Sequence, residues 1–156
     1  MRITKRTNIA MRLLMFCAAH PDDLVTKKDI AARCNLSENH LAQVVNQLAH
    51  LGFLNTQRGR NGGIRLGRSP QRILVGDVFR QIEGQTSQAE CFADVDNTCP
   101  FVDCCRLRDA LGQAAEAFYA HLDTTRLSDL ICGNGVLIDM LTGRKCSKNQ
   151  PVAELA

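Results

Sequence analysis

The stretch from Ser37 to Leu66 leaves this chain few folds to choose from. Leu41, Val44, Val45, Leu48 and Leu51 recur at spacings of three and four, which places them on one face of a helix that Ser37 opens and Gly52 closes. Directly after it, Phe53 to Arg58 reads as a strand, Gly59-Arg60-Asn61-Gly62-Gly63 as a tight tip and Ile64-Arg65-Leu66 as the return strand. Upstream, Thr26 has the character of an N-cap with Asp29 in the first turn, and a short helix runs through Ile30 and Ala31 to Cys34. Asn35-Leu36 is then the turn into the Ser37 helix. Two short helices joined by a tight turn and followed by a basic hairpin make a winged helix-turn-helix.

The flanking segments complete the expectation. A helix opening at Thr4 or Thr7 carries Ile9, Leu13, Phe16 and Cys17 on one face and ends at His20-Pro21-Asp22-Asp23. Ser69-Pro70 breaks the chain, and a helix from Ile73 to Ile82 turns Val75, Val78, Phe79 and Ile82 inward. A polar linker, Gly84 to Glu90, leads to an irregular cysteine-rich segment. From about Arg106 to Leu122 a long helix sets Leu107, Leu111, Ala114, Phe118 and Leu122 along one stripe, with Ala110 and Ala117 small enough for another helix to approach. Such a helix has little of its own chain to bury against, so a homodimer built on it is expected. The expected fold class is mainly α with a small β-hairpin. Its parts are a winged helix-turn-helix DNA-binding domain over residues 1–83, a cysteine-rich loop over 84–105, a dimerisation helix and following segment over 106–141, and a disordered tail over 142–156 in which Cys146 has no role.

Charge divides along the same line. Residues 1–72 hold twelve Lys and Arg against four Asp and Glu, a net +8, whereas the remainder holds seven against twelve, a net −5. A basic front half suits a polyanionic partner. No apolar run reaches the twenty residues a bilayer needs, and Arg12 interrupts the best one, so no membrane association is expected. The basic opening lacks a cleavage site after an uninterrupted apolar stretch, which gives a cytoplasmic expectation. No Ser/His/Asp set or phosphate-binding glycine loop is present, and His20, His40, His50 and His121 are scattered, so an enzyme is not expected.

On the Ser37 helix, the face opposite the apolar stripe carries Asn39, Gln43, Asn46 and His50, with His40 adjacent. Neutral amides of this kind bond base edges in the major groove. Arg58, Arg60 and Arg65 on the hairpin, with Arg68 just beyond, supply phosphate attraction, and arginines beside glycines can enter a narrow, A·T-rich minor groove. The expected DNA contacts are Thr4, Lys28, Ser37, Asn39, His40, Gln43, Arg58, Arg60, Asn61 and Arg65. The expected ligand is a two-fold symmetric, A·T-rich duplex operator with one recognition helix per half-site.

Eight cysteines in a reducing compartment argue for metal or redox chemistry rather than disulfides. Cys17 and Cys34 sit among apolar helix residues and read as inert core thiols. Cys91, Cys99 and Cys105 are widely spaced on one loop; zinc sites usually begin with two cysteines two to four residues apart, a pair this run lacks. On spacing, an iron-sulfur cluster stands slightly ahead of zinc, with free thiols third. Three thiolates leave one iron of a cubane in need of another ligand. Glu90, Asp94, Asp96 and Cys104 are nearby, although adjacent Cys104 and Cys105 rarely address one centre.

From Met1 to about Leu141, three stretches resemble the iron-sulfur winged-helix transcription regulators that include NsrR, IscR and RirA. They are Met1-Arg2-Ile3-Thr4-Lys5-Arg6-Thr7-Asn8, the wing Arg58 to Gly67, and the cysteine loop running into Cys105-Arg106-Leu107. The segment Cys99 to Leu111, with Glu116-Ala117-Phe118-Tyr119, resembles the NsrR members most and the RirA members next. The resemblance implies a homodimeric repressor whose cluster, 4Fe-4S or alternatively 2Fe-2S, is held by Cys91, Cys99 and Cys105. It implies too that nitric oxide attacks the cluster and releases the DNA. In some of these proteins an aspartate near the N-terminus of the partner subunit is the fourth ligand; the matching position here is Asn8, a poorer iron ligand, as in the iron-responsive RirA type. Iron response, or IscR-like sensing of cluster status, is therefore the second implication. A zinc-stabilised or thiol-redox DNA-binding protein is the rival from another class.

Overall fold

The computed structural model describes residues 3–59, 62–84, 90–92 and 97–143; Arg60, Asn61, Asp94, Asp96, Cys146 and all of the tail beyond Gly143 lie outside the described residues. Seven helices and one two-stranded antiparallel sheet are present among them: α1 (Lys5–Ala18), α2 (Lys27–Cys34), α3 (Glu38–His50), β1 (Leu54–Gln57), β2 (Gly63–Leu66), α4 (Val75–Glu83), α5 (Arg106–Asp123), α6 (Leu127–Ile131) and α7 (Gly135–Thr142). Short 3-10 turns lie at Pro70–Arg72 and Glu90–Phe92. The fold class is the expected one.

Local chemistry explains the boundaries. Thr4 caps α1, its hydroxyl oxygen accepting from the Thr7 N–H. Thr26 and Asp29 form a reciprocal capping box on α2. Asn35 ends α2 in the left-handed conformation, φ 50°, which asparagine tolerates better than other residues bearing a Cβ, and so makes the tight turn into α3. Ser37 precedes α3 as its cap but makes no side-chain capping bond.

The hairpin pairs Leu54 with Leu66 and Gln57 with Gly63. It is joined to the helices by a bridge in which Val25 and Ile64 exchange both backbone bonds, at 3.0 and 2.8 Å. Glycine at the wing is required by the fold itself: a Cβ on Gly62 would collide with the Gln57 carbonyl oxygen, and one on Gly63 would come within 2.8 Å of the Leu24 side chain.

The core is centred on α1. Leu13, Leu14, Ile30, Leu41, Leu48, Phe53, Val78 and Leu127 show no exposure, with Ile73 at 1%, and burying each such side chain is worth roughly 1.5–3 kcal/mol. Leu127 is the unexpected member. The chain after α5 turns back, its Leu127 N–H bonding the Ile73 carbonyl and the Val75 N–H bonding the Thr125 carbonyl, both at 2.9 Å. Residues beyond the long helix thus complete the core built by the helix-turn-helix.

The long helix buries little of its stripe within the single chain. Ala115 is its only buried residue; Leu111, Phe118 and Leu122 are half-buried, whereas Leu107 is 67% exposed and Ala114 exposed. The contact with α4 uses the far end of the helix: Phe79 against Phe118, Arg80 over the Tyr119 ring, and Arg80 paired with Asp123 through both guanidinium nitrogens. Gly76 permits this approach, since a Cβ there would strike the Asp123 carboxylate.

Candidate nucleic-acid interface and metal centre

On α3, Leu41, Val44, Val45 and Leu48 are buried, which turns Asn39, His40, Gln43, Asn46 and His50 to solvent. Ser37 at its start and Lys28 in the first turn of α2 are exposed as well. The helix is clamped from beneath by α1, α2 and β1, so its polar face is presented rigidly, as base-edge contact demands. Arg58 and Arg65 stand exposed on the hairpin, Arg65 opposite Asn55.

Arg68 has contacts that the sequence did not reveal. Its guanidinium donates to the carbonyls of Gly52 and Leu51, at 3.2 and 3.1 Å, and covers the Phe53 ring at 4.6 Å. It satisfies carbonyls where the chain leaves α3, while the side chain stays exposed.

Thr4 is also engaged. Its N–H and hydroxyl donate to one oxygen of Glu83, at 2.9 and 3.0 Å. Burial pushes the Glu83 carboxyl up, but hydrogen bonds from Thr7 and Thr4 outweigh it and hold the group below its ordinary value. Glu83 ends α4 next to the segment that leads to the cysteine loop, so it ties the beginning of α1 to that region. Sequence reasoning missed this residue because its partners lie up to 79 positions away. Asn8, one turn into α1, is exposed.

All seven cysteines among the described residues are free thiols. Cys17 and Cys34 are buried; burial, helped by the neighbouring Cys34, pushes Cys17 up to about 12, and burial likewise raises Cys34 against the opposing pull of Arg12. Neither thiol is a ready nucleophile or metal ligand at neutral pH. Cys104 and Cys132 are exposed.

Cys91, Cys99 and Cys105 are half-buried. Cys91 lies in the 3-10 turn at Glu90–Phe92, Cys99 donates its N–H to the Asn97 side-chain oxygen at 3.1 Å, and Cys105 stands at the N-cap position of α5 without a side-chain capping bond. The amino end of an eighteen-residue helix favours negative charge, which suits a thiolate-bound metal group at Cys105. Among the described residues no three His, Cys, Asp or Glu side chains converge closely enough to hold a single ion. The donors are nevertheless of the kind an iron-sulfur group takes: three soft sulfurs, none consumed in a disulfide.

No helix among the described residues is long and apolar enough to cross a membrane. Residues 3–133 match the model of the Rrf2 family, described as iron-dependent transcriptional regulators. The HTH-type transcriptional regulator NsrR of Geobacillus kaustophilus (strain HTA426) is 43% identical over 146 residues, covering 93% of this chain and 99% of that protein. The HTH-type transcriptional repressor NsrR of Streptomyces coelicolor (strain ATCC BAA-471 / A3(2) / M145) is 37% identical over 147 residues, covering 92% and 98%. Among solved structures, IscR of T. potens superposes with a TM-score of 0.65 at 26% identity, covering 84% of this chain and 86% of that one. With an exposed recognition helix, a basic wing and relatives matched nearly end to end, the chain is a DNA-binding transcription regulator rather than an enzyme, and it belongs to the Rrf2 family.

Proposed function

We propose that this regulator is an NsrR-like repressor whose grip on DNA depends on an iron-sulfur cluster held by Cys91, Cys99 and Cys105, with nitric oxide as the signal. The observation that carries the proposal is the set of three free, half-buried thiols leading into α5, on a chain whose α3 and wing carry an exposed polar and basic surface. The likeness to proteins named NsrR supports it. When bound, the cluster, 4Fe-4S or alternatively 2Fe-2S, supplies iron open to attack by a small diatomic ligand.

The chain's own residues do the rest. Cys105 places the metal group at the head of α5, and Asn97 fixes the backbone of Cys99. Two copies meet along the exposed side of α5, where Leu107, Ala110, Ala114 and Ala117 face solvent in the single chain. A dimer of this kind sets two α3 helices one helical turn apart on a palindromic, A·T-rich duplex. There Ser37, Asn39, His40 and Gln43 address base edges, while Thr4, Lys28, Arg58, Arg60, Asn61 and Arg65 hold backbone and minor groove. The fourth ligand is sought among Asn8, Asp94 and Cys104.

One observation favours a second reading. Asn8 offers an exposed amide where a carboxylate would bind iron better, which fits an iron-responsive, RirA-like regulator, or one that follows cluster status as IscR does. Titration of the anaerobic, cluster-loaded protein on operator DNA separates these. Release of DNA by stoichiometric nitric oxide supports the proposal. Release by an iron chelator alone, with nitric oxide inert, overturns it in favour of iron sensing.

A further inference from the structure

Cys105 stands at the N-cap position of α5 and Cys99 closely precedes it, whereas Cys91 lies well before both in the chain. Two contacts fix its position. Arg108, in the first turn of α5, donates its guanidinium Nε–H to the Cys91 carbonyl oxygen at 2.9 Å, in a part-buried position. The same guanidinium lies 5.6 Å from the centre of the Phe92 ring. That ring rests against Gly112, where a Cβ would meet it at 3.6 Å. Positions 108 and 112 are four apart and share one face of the helix, so two adjacent residues of the 3-10 turn are gripped by two adjacent turns of α5.

The head of the same helix is Cys105. The grip therefore fixes the first cysteine relative to the third through a rigid helix instead of through the intervening loop. A flexible ligand-bearing segment loses conformational freedom when it closes on a metal group, and an anchor made beforehand removes part of that loss. Arginine makes a good anchor because its planar fork donates along one edge while its face stacks on an aromatic ring.

We infer that Arg108, seated on Phe92, is the positioning residue that holds Cys91 ready for the cluster. The inference rests on the iron-sulfur reading given above and assigns a role to a side chain that is not itself a ligand.

Two measurements on the full-length chain distinguish this from general support of the fold. In metal-free protein, alkylation of Cys91 by iodoacetamide is followed by peptide mass spectrometry with the exposed Cys132 as internal standard. Arg108→Ala accelerates it several-fold while the melting temperature stays at the wild-type value. In protein loaded anaerobically with iron and sulfide, visible absorbance under a ferrous-iron chelator decays about tenfold faster in Arg108→Ala, as is typical when a partner of a metal ligand is lost. Arg108→Lys, which keeps a donor for the carbonyl but not the planar stack, falls between the two. Decay of the Arg108→Ala cluster at the wild-type rate overturns this inference and leaves the iron-sulfur reading standing. A wild-type chain that takes up no iron and sulfide overturns both.

Discussion

Replacing Leu127 by Ala perturbs the least anticipated part of the architecture. Leu127 shows no exposure, opens the five-residue helix α6 and packs into the core with α1, while its N–H bonds the Ile73 carbonyl ahead of α4. The substitution removes three carbon atoms from a fully enclosed position whose backbone is pinned, so the surroundings have little freedom to collapse into the space. A loss in the upper part of the range for such truncations, about 3–5 kcal/mol, follows. Native domains have only about 5–15 kcal/mol to lose. The chain has no Trp and one Tyr, so urea unfolding is best followed by far-ultraviolet circular dichroism on metal-free protein. With a denaturant slope of about 2 kcal/mol/M, the midpoint falls by about 1.5–2.5 M. A loss below about 1 kcal/mol at unchanged slope would mean that α6 does not belong to the core that supports α3, and the reasoning for the fold would fail.

Arg58→Ala weakens binding to operator and unrelated duplexes alike and lowers the salt slope by about 1, whereas Gln43→Ala costs about 1–3 kcal/mol on the operator and relaxes preference at one base pair; fluorescence anisotropy at several salt concentrations checks both. The folded carboxyl of Glu83 lies below its ordinary value of 4.5, so its contribution is complete above that value and is lost as pH falls through the lower folded value. Glu83→Gln therefore flattens the stability profile on the acidic side of pH 4.5 in urea titrations, and an unchanged profile would contradict the tie to Thr4. Gly112→Ala places its methyl group in ordinary contact with Phe92 and gains helix propensity, so thermal unfolding shows a stabilisation of about 0.5–1 kcal/mol; a loss would mean that the Phe92 seat is tighter than described.

How far the sequence was legible followed from the range of the signal. The recognition helix could be read from Leu41, Val44, Val45 and Leu48 because periodicity is a local property, and the hairpin from Gly59, Gly62 and Gly63 because tight tips restrict residue type. The helix α6, five residues long, is too short for a periodic pattern to stand out. The role of α5 was legible only in part: its apolar residues were visible, but which of them face α4 depends on Gly76 and Phe79, far earlier in the chain. The same holds for the contacts of Arg68 with Leu51 and Gly52, and for the pairs Glu83 with Thr4 and Arg108 with Cys91. Each joins segments far apart in the chain through a single hydrogen-bonding side chain, which leaves no pattern in sequence. The three cysteines were conspicuous, but spacing alone did not choose between a cluster, zinc and free thiols.

Anaerobic purification of the full-length chain, with visible absorption and metal analysis read alongside affinity for a palindromic A·T-rich duplex, tests the central claim most directly. A coloured protein with iron and acid-labile sulfide in equal amounts is predicted, binding the duplex tightly, with colour and tight binding lost together in Cys99→Ala. A colourless protein carrying stoichiometric zinc, or one whose affinity for the duplex is the same with and without iron and sulfide, would contradict it.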